Sequence, residues 1–187
     1  MTYKKPTIYL DTTVLREAMK SSKPSSLKIF DFSKQRKCIL EISMFSIGEL
    51  YDLEKDNEFF KTQVLLGKDV KAISHIRKQR NLTPHQLKNA AKNIWNFLES
   101  NFPLIKVDPD AKDWGTFNII CTETNLTWQD ALHFTLALNS ADALLTSDEG
   151  FLKEAENFLR GKGLWDEFRI SKPDSIITNI NEMGFKL

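Results

Sequence analysis

The sequence predicts an α/β fold with a parallel central sheet and helices on both faces. Three observations predict it. Short apolar runs recur at Thr7-Ile8-Tyr9-Leu10, Cys38 to Ile42, Leu104 to Val107 and Ala143 to Thr146, each of strand length. Stretches with helical spacing separate them, and strands alternating with helices favour parallel crossovers. The chain has 187 residues, 41% apolar and 27% charged, enough for one domain with a substantial core.

The first strand follows Pro6 and is expected to be buried. Val14 to Met19 then takes helical spacing, and Ser21-Ser22-Lys23-Pro24-Ser25 reads as a loop. A helix is expected from Leu27 to about Lys34, the second strand over Cys38 to Ile42, and a further helix from about Ser46. Residues from about 54 to 100 read as a longer helical section within a single domain over 1–187. Inside it, Thr83-Pro84-His85-Gln86 is a start signal: a threonine cap, proline at the first helical position and glutamine three residues after the cap. Leu87, Ala90, Ala91, Ile94, Phe97 and Leu98 follow at spacings of three and four.

After the third strand, Ala111 to about Thr124 is expected to be helical, with Trp114, Phe117, Ile120 and Cys121 on one side. Thr127 caps the next helix. Phe151 to Leu159 forms the last helix, ended by Gly161-Lys162-Gly163, and Phe168-Arg169-Ile170 is a short final strand. There is no internal repeat or low-complexity tract.

The net charge is +1, so bulk charge neither favours nor excludes a nucleic-acid partner. The middle section nonetheless gathers Lys68, Lys71, His75, Arg77, Lys78, Arg80, Lys88 and Lys92. Such a run is ordinarily a solvated helix face; a phosphate-contacting patch is the sharper reading. Cys38 and Cys121 are far apart, in apolar contexts and without ligand partners, which is the pattern of two reduced core thiols. No apolar stretch reaches membrane-spanning length and no signal peptide is expected, so the cytoplasm is the expected location.

Four acids stand at the ends of apolar elements. Asp11 ends Ile8-Tyr9-Leu10, Glu49 lies in Ser46-Ile47-Gly48-Glu49-Leu50, Asp130 opens Ala131-Leu132-His133-Phe134, and Asp148 follows Ala143-Leu144-Leu145-Thr146. Each has an ordinary structural explanation. Asp11 caps the helix that follows, and Ser46 to Glu49 matches a capping box. Asp130 suits the first turn of a helix capped by Thr127, and Asp148 suits a turn. Taken together, they gather on one edge of the predicted sheet, where like charges repel unless a cation neutralises them. His75, His85 and His133 lack metal-triad spacing and read as structural histidines.

The ordered segments Tyr9-Leu10-Asp11-Thr12-Thr13-Val14, Ser46 to Leu50, Asp130 to Ala137 and Ala141 to Phe151 resemble the motifs of the PIN domain, the nuclease domain of VapC-type toxins. The resemblance covers residues 7 to 170, and its most specific part is the pair Asp130 and Asp148. It implies a three-layer α/β/α sandwich, endonucleolytic cleavage of RNA and a Mg²⁺ or Mn²⁺ ion. Asp11, Glu49, Asp130 and Asp148 would be the catalytic and metal-holding acids, with Asp11 and Asp148 binding most directly. Thr12, Thr146 and Ser147 would orient carboxylates or serve equally as local caps. Asp142 also lies at a family-like position, but its place before the strand, at the opposite end from Asp148, favours a turn or capping role. It further implies a small antitoxin partner and a homodimer. Two competing readings are a catalytically silent PIN-like module that binds RNA or protein, and an aspartyl-phosphate phosphotransferase. The second lacks the acid two positions after Asp11, where Thr13 stands.

Overall fold

The computed structural model describes residues 5–77, 81–101, 105–108 and 113–175. Five strands form one sheet: β1 (Thr7–Leu10), β2 (Ile39–Ser43), β3 (Ile105–Asp108), β4 (Ala143–Leu145) and β5 (Arg169–Ser171). Their order is β3-β2-β1-β4-β5, and every neighbouring pair is parallel. The helices are α1 (Thr12–Met19), α2 (Pro24–Lys34), α3 (Met44–Leu65), α4 (Val70–Ile76), α5 (Pro84–Asn101), α6 (Trp114–Glu123), α7 (Trp128–Ser140) and α8 (Glu149–Lys162). This is the expected three-layer arrangement.

The chain falls into two compact units, residues 1–46 with 103–187, and residues 47–102. The first unit holds the sheet. Ile8, Tyr9 and Leu10 are all buried, as are Ala143, Leu144 and Leu145, because both faces of a parallel sheet are covered. Tyr9, Leu144 and Ile170 pair in register and share a face. On that face they pack with Ile120, Phe134, Ala137, Phe151, Ala155 and Leu159 from α6, α7 and α8. Phe134 lies 5.7 to 6.3 Å from the rings of Phe158, Phe151 and Phe168. Each fully buried Leu, Ile or Phe side chain of this cluster contributes roughly 1.5–3 kcal/mol. Fully buried Glu41 is paired in register with Tyr9 and lies on the same face.

Within the second unit, α5 begins as the sequence predicts. The Thr83 amide donates to Gln86 Oε1 at 2.8 Å, and the Gln86 amide donates to Thr83 Oγ1 at 3.3 Å. Ala90 and Ile94 form its buried stripe, but Leu87 is exposed. Arg77 is ion-paired with Asp56, while Lys68, Lys71, Lys88 and Lys92 face water. Lys78 and Arg80 lie outside the described residues, as do Leu104 and Ala111.

Several boundaries differ from expectation. Helix α2 begins at Pro24, inside the expected loop, because proline fits the first helical position. Helix α3 begins at Met44, directly after β2, rather than at Ser46. Helix α8 runs through Gly161 and stops at Gly163, whose φ of 71° is the left-handed geometry of a helix end. Cys38 is buried and burial pushes its thiol up to about 11, but Cys121 is exposed. Trp114 is also exposed, and of the four residues expected on the inner side of α6 only Ile120 is fully buried.

Candidate functional site

The strand order places β2 and β3 on one side of β1 and β4 and β5 on the other. The chain therefore reverses its direction of travel between β1 and β4, and the carboxyl ends of these two strands border the crevice where ligands collect in such sheets. Asp11 leaves β1 at that end. Its amide donates to the Leu145 carbonyl at 2.9 Å, which ties it to the end of β4. Asp148 follows β4 by way of Thr146 and Ser147 and caps α8.

Asp11 is only 4% exposed, and its carboxylate is held from three sides. The Thr12 amide donates to Oδ1 at 2.7 Å. The hydroxyls of Thr13 and Thr146 donate to Oδ2 at 2.6 and 2.8 Å. A carboxylate offers about four acceptor sites, so one direction on Oδ1 is left for another group. His133 Nε2 lies 3.8 Å from that oxygen.

Asp130 stands in the first turn of α7. Thr127 Oγ1 donates to its Oδ2 at 2.7 Å and accepts from the Asp130 amide at 3.2 Å, as the sequence predicts for a threonine cap. Burial raises the Asp130 carboxyl above its ordinary range. The Thr127 hydroxyl opposes the rise, the charges of Asp11 and Asp148 add to it, and His133 opposes it weakly. Three of the four acids therefore share one electrostatic neighbourhood.

Asp148 is more exposed. It accepts from the Phe151 amide at 2.9 Å, and its own amide donates to Thr146 Oγ1 at 3.0 Å. A Cβ on Gly150 would stand 3.2 Å from Asp148 Oδ1, so glycine there leaves the carboxylate room.

Glu49 has a different setting. It lies on α3 in the second unit and is half-buried. The expected capping box is replaced: the Ser46 amide donates to Ser43 Oγ at 3.0 Å, because Ser43 is the last strand residue before the helix. Asp142 holds the opposite end of the sheet, as expected. It accepts from the Thr7 amide at 2.7 Å, and its own amide donates to the Thr7 carbonyl.

Two further groups stand at the site although the sequence does not place them there. His133 is fully buried and lies 2.9 Å from the Tyr9 hydroxyl through Nδ1 and 3.3 Å from Thr12 Oγ1 through Nε2. It is a satisfied histidine, as expected, but it underlies Asp11. Glu17 accepts from Ser147 Oγ at 2.7 Å and Ser26 Oγ at 2.8 Å, and pairs with Lys23 at 2.6 Å. Burial works to raise its carboxyl, yet Lys23 and the two serines hold it below the ordinary value. Ser147 is thus committed to Glu17, while Thr146 orients Asp11. Among the described residues, no three His, Cys, Asp or Glu side chains are grouped so as to hold a metal ion together.

No family model matches the chain, and no curated relative matches it by sequence. Solved structures do match. PAE2754 from Pyrobaculum aerophilum superposes with a TM-score of 0.50 at 17% identity, over 95% of this chain and 91% of that one. VapBC2 from Rickettsia felis, solved bound to a DNA fragment from its promoter, gives a TM-score of 0.51 at 13% identity, over 89% of this chain and 98% of that one. The fold is that of the PIN domain. At such identity the likeness establishes the PIN-like architecture, and chemistry has to be argued from the residues. None of the described helices is long and apolar enough to cross a membrane.

Proposed function

We propose that the protein is a metal-dependent endoribonuclease that hydrolyses RNA phosphodiester bonds, and that it acts as the toxin of a toxin–antitoxin pair. One observation carries the chemistry: Asp11 and Asp148 stand at the carboxyl ends of the two strands flanking the topological switch, and Asp130 feels the charge of both. Clustered carboxylates are costly unless a cation neutralises them. The likeness to VapBC2 and the motif resemblance support the toxin assignment.

The donor chemistry fits Mg²⁺ or Mn²⁺. These hard cations take oxygen ligands, and Mg²⁺ keeps several waters while using one or two carboxylates. Asp11 and Asp148 are the proposed direct ligands, with Asp130 beside them. When bound, the ion supplies a water of lowered pKa and offsets charge on the leaving oxygen. The chain's own contribution is orientation. Thr13 and Thr146 fix the Asp11 carboxylate, and Thr127 fixes that of Asp130. Preset orientation removes a reorganisation cost at the moment of reaction.

Asp11→Asn and Asp148→Asn are each expected to abolish cleavage of RNA while leaving the circular dichroism spectrum unchanged. Full activity in either purified variant would remove that residue from the catalytic set. A second reading, a PIN-like fold kept only for binding, is favoured by the absence of a ready-made ligand group among the described residues. Titrating Mg²⁺ and Mn²⁺ against pure protein and RNA separates the two, because a binding module cuts nothing at any metal concentration.

A further inference from the structure

Four rings run in series from the sheet to the surface beside the acids. Tyr9, fully buried in β1, meets the His133 ring at 5.9 Å, nearly edge-on. Phe45 lies 5.0 Å from His133, and Trp128 lies 5.6 Å from Phe45. The series ends in water: Trp128 is 57% exposed. It is the first residue of α7, two positions before Asp130.

We propose that Trp128, backed by Phe45, is a stacking platform for one unpaired base of a single-stranded RNA substrate, a reading that rests on the ribonuclease assignment above. Three observations point there. The first is placement, because the indole ends a ring series that runs through Phe45 to His133, whose Nε2 lies 3.8 Å from the Asp11 carboxylate. The second is charge. The cation that the acids would hold serves the phosphate, so the base needs a contact of its own that requires no charge, and every base has a π-face. The third is size. On the segments around Phe45 and Trp128, the exposed large apolar side chains are Met44 and Trp128. A protein partner needs about 800 Å² per side, whereas one tryptophan offers at most about 250 Å². That area suits a base. The Tyr9 hydroxyl holds His133, His133 supports Phe45, and a ring so supported loses little freedom when a base stacks on it.

The test uses an unstructured oligoribonucleotide carrying 2-aminopurine, titrated with the full protein in EDTA so that nothing is cut. Trp128→Ala is expected to weaken binding about tenfold and to remove the 2-aminopurine quenching seen with the parent protein. Trp128→Phe should keep most of both. Trp114→Ala serves as the control, since Trp114 is 66% exposed and meets the Phe117 ring edge-on at 5.8 Å, but has no part in the acidic set. With Mn²⁺ added, Trp128→Ala should raise KM and leave kcat nearly unchanged. Equal affinity and quenching in Trp128→Ala and the parent protein would overturn the platform, as would a parent protein that does not bind the oligonucleotide. A parent protein that binds through Trp128 but never cuts with metal would instead overturn the nuclease assignment and leave the platform standing.

Discussion

Asp11 and Asp130 are the same residue type in opposite circumstances. Asp11 receives donors from Thr12, Thr13 and Thr146. Asp130 receives the Thr127 hydroxyl but suffers burial and two like charges. Neutral substitutions should therefore act with opposite sign. Asp11→Asn turns an amide donor toward existing donors and should cost about 1–2 kcal/mol. Asp130→Asn keeps an oxygen for Thr127 and removes the repulsion, so the metal-free protein should melt at a higher temperature at neutral pH. The pH dependence follows from the raised Asp130 carboxyl. The folded state holds that proton more tightly than the unfolded chain, whose ordinary value is 3.8. Stability from this group is present below 3.8 and is lost as pH rises through the raised folded value. The advantage of Asp130→Asn should accordingly grow from acidic to neutral pH. Thermal melts in EDTA check this, and coincident curves for Asp130→Asn and the parent at neutral pH would sink it. Thr13 and His133 were not legible as site residues, because only the fold shows that one bonds Asp11 and the other lies beneath it.

Element starts are legible in the sequence where a side chain closes its own local bond. Thr83 with Gln86, and Thr127 with Asp130, are bonded as their spacing implies. The box at Ser46 and Glu49 failed for a physical reason. Both Ser43 and Ser46 satisfy a cap pattern, and the helix begins where β2 ends, which hydrogen bonding across the sheet decides. Asp11 and Asp148 cap α1 and α8 as well as facing the switch, so a capping role and a functional role coexist in one residue. The end of α8 gives a clean test of backbone geometry. A Cβ on Gly163 meets nothing within 4 Å, so Gly163→Ala acts only through its positive φ. The expected cost is about 1 kcal/mol, a fall in Tm of roughly 2–4 °C for a chain of this size. An unchanged Tm would show that the helix end relaxes without penalty.

At the scale of the whole molecule, charge is distributed unevenly although the net value is only +1. The three acids belong to the sheet-bearing unit, while Lys88 and Lys92 are exposed on α5 in the other. Reversing both lysines to glutamate should weaken RNA binding and flatten its salt dependence by about 1.4 in log–log slope, at roughly 0.7 per lost phosphate contact on a single strand. An unchanged slope would return those lysines to a solvated helix face. The α/β class, the positions of the strands, several helix starts and the order of the acids are written locally in the chain. These are local properties, set by apolar periodicity and by side chains that bond within a turn. The tertiary structure alone decided the strand order that brings Asp11 and Asp148 to one switch point, with Asp130 in reach of both. It alone set the hydroxyl cradle around Asp11 and the ring series from Tyr9 to Trp128. Two of those contacts, Tyr9 with His133 and Asp11 with Thr146, join residues more than a hundred positions apart, and no local pattern encodes which distant strands become neighbours.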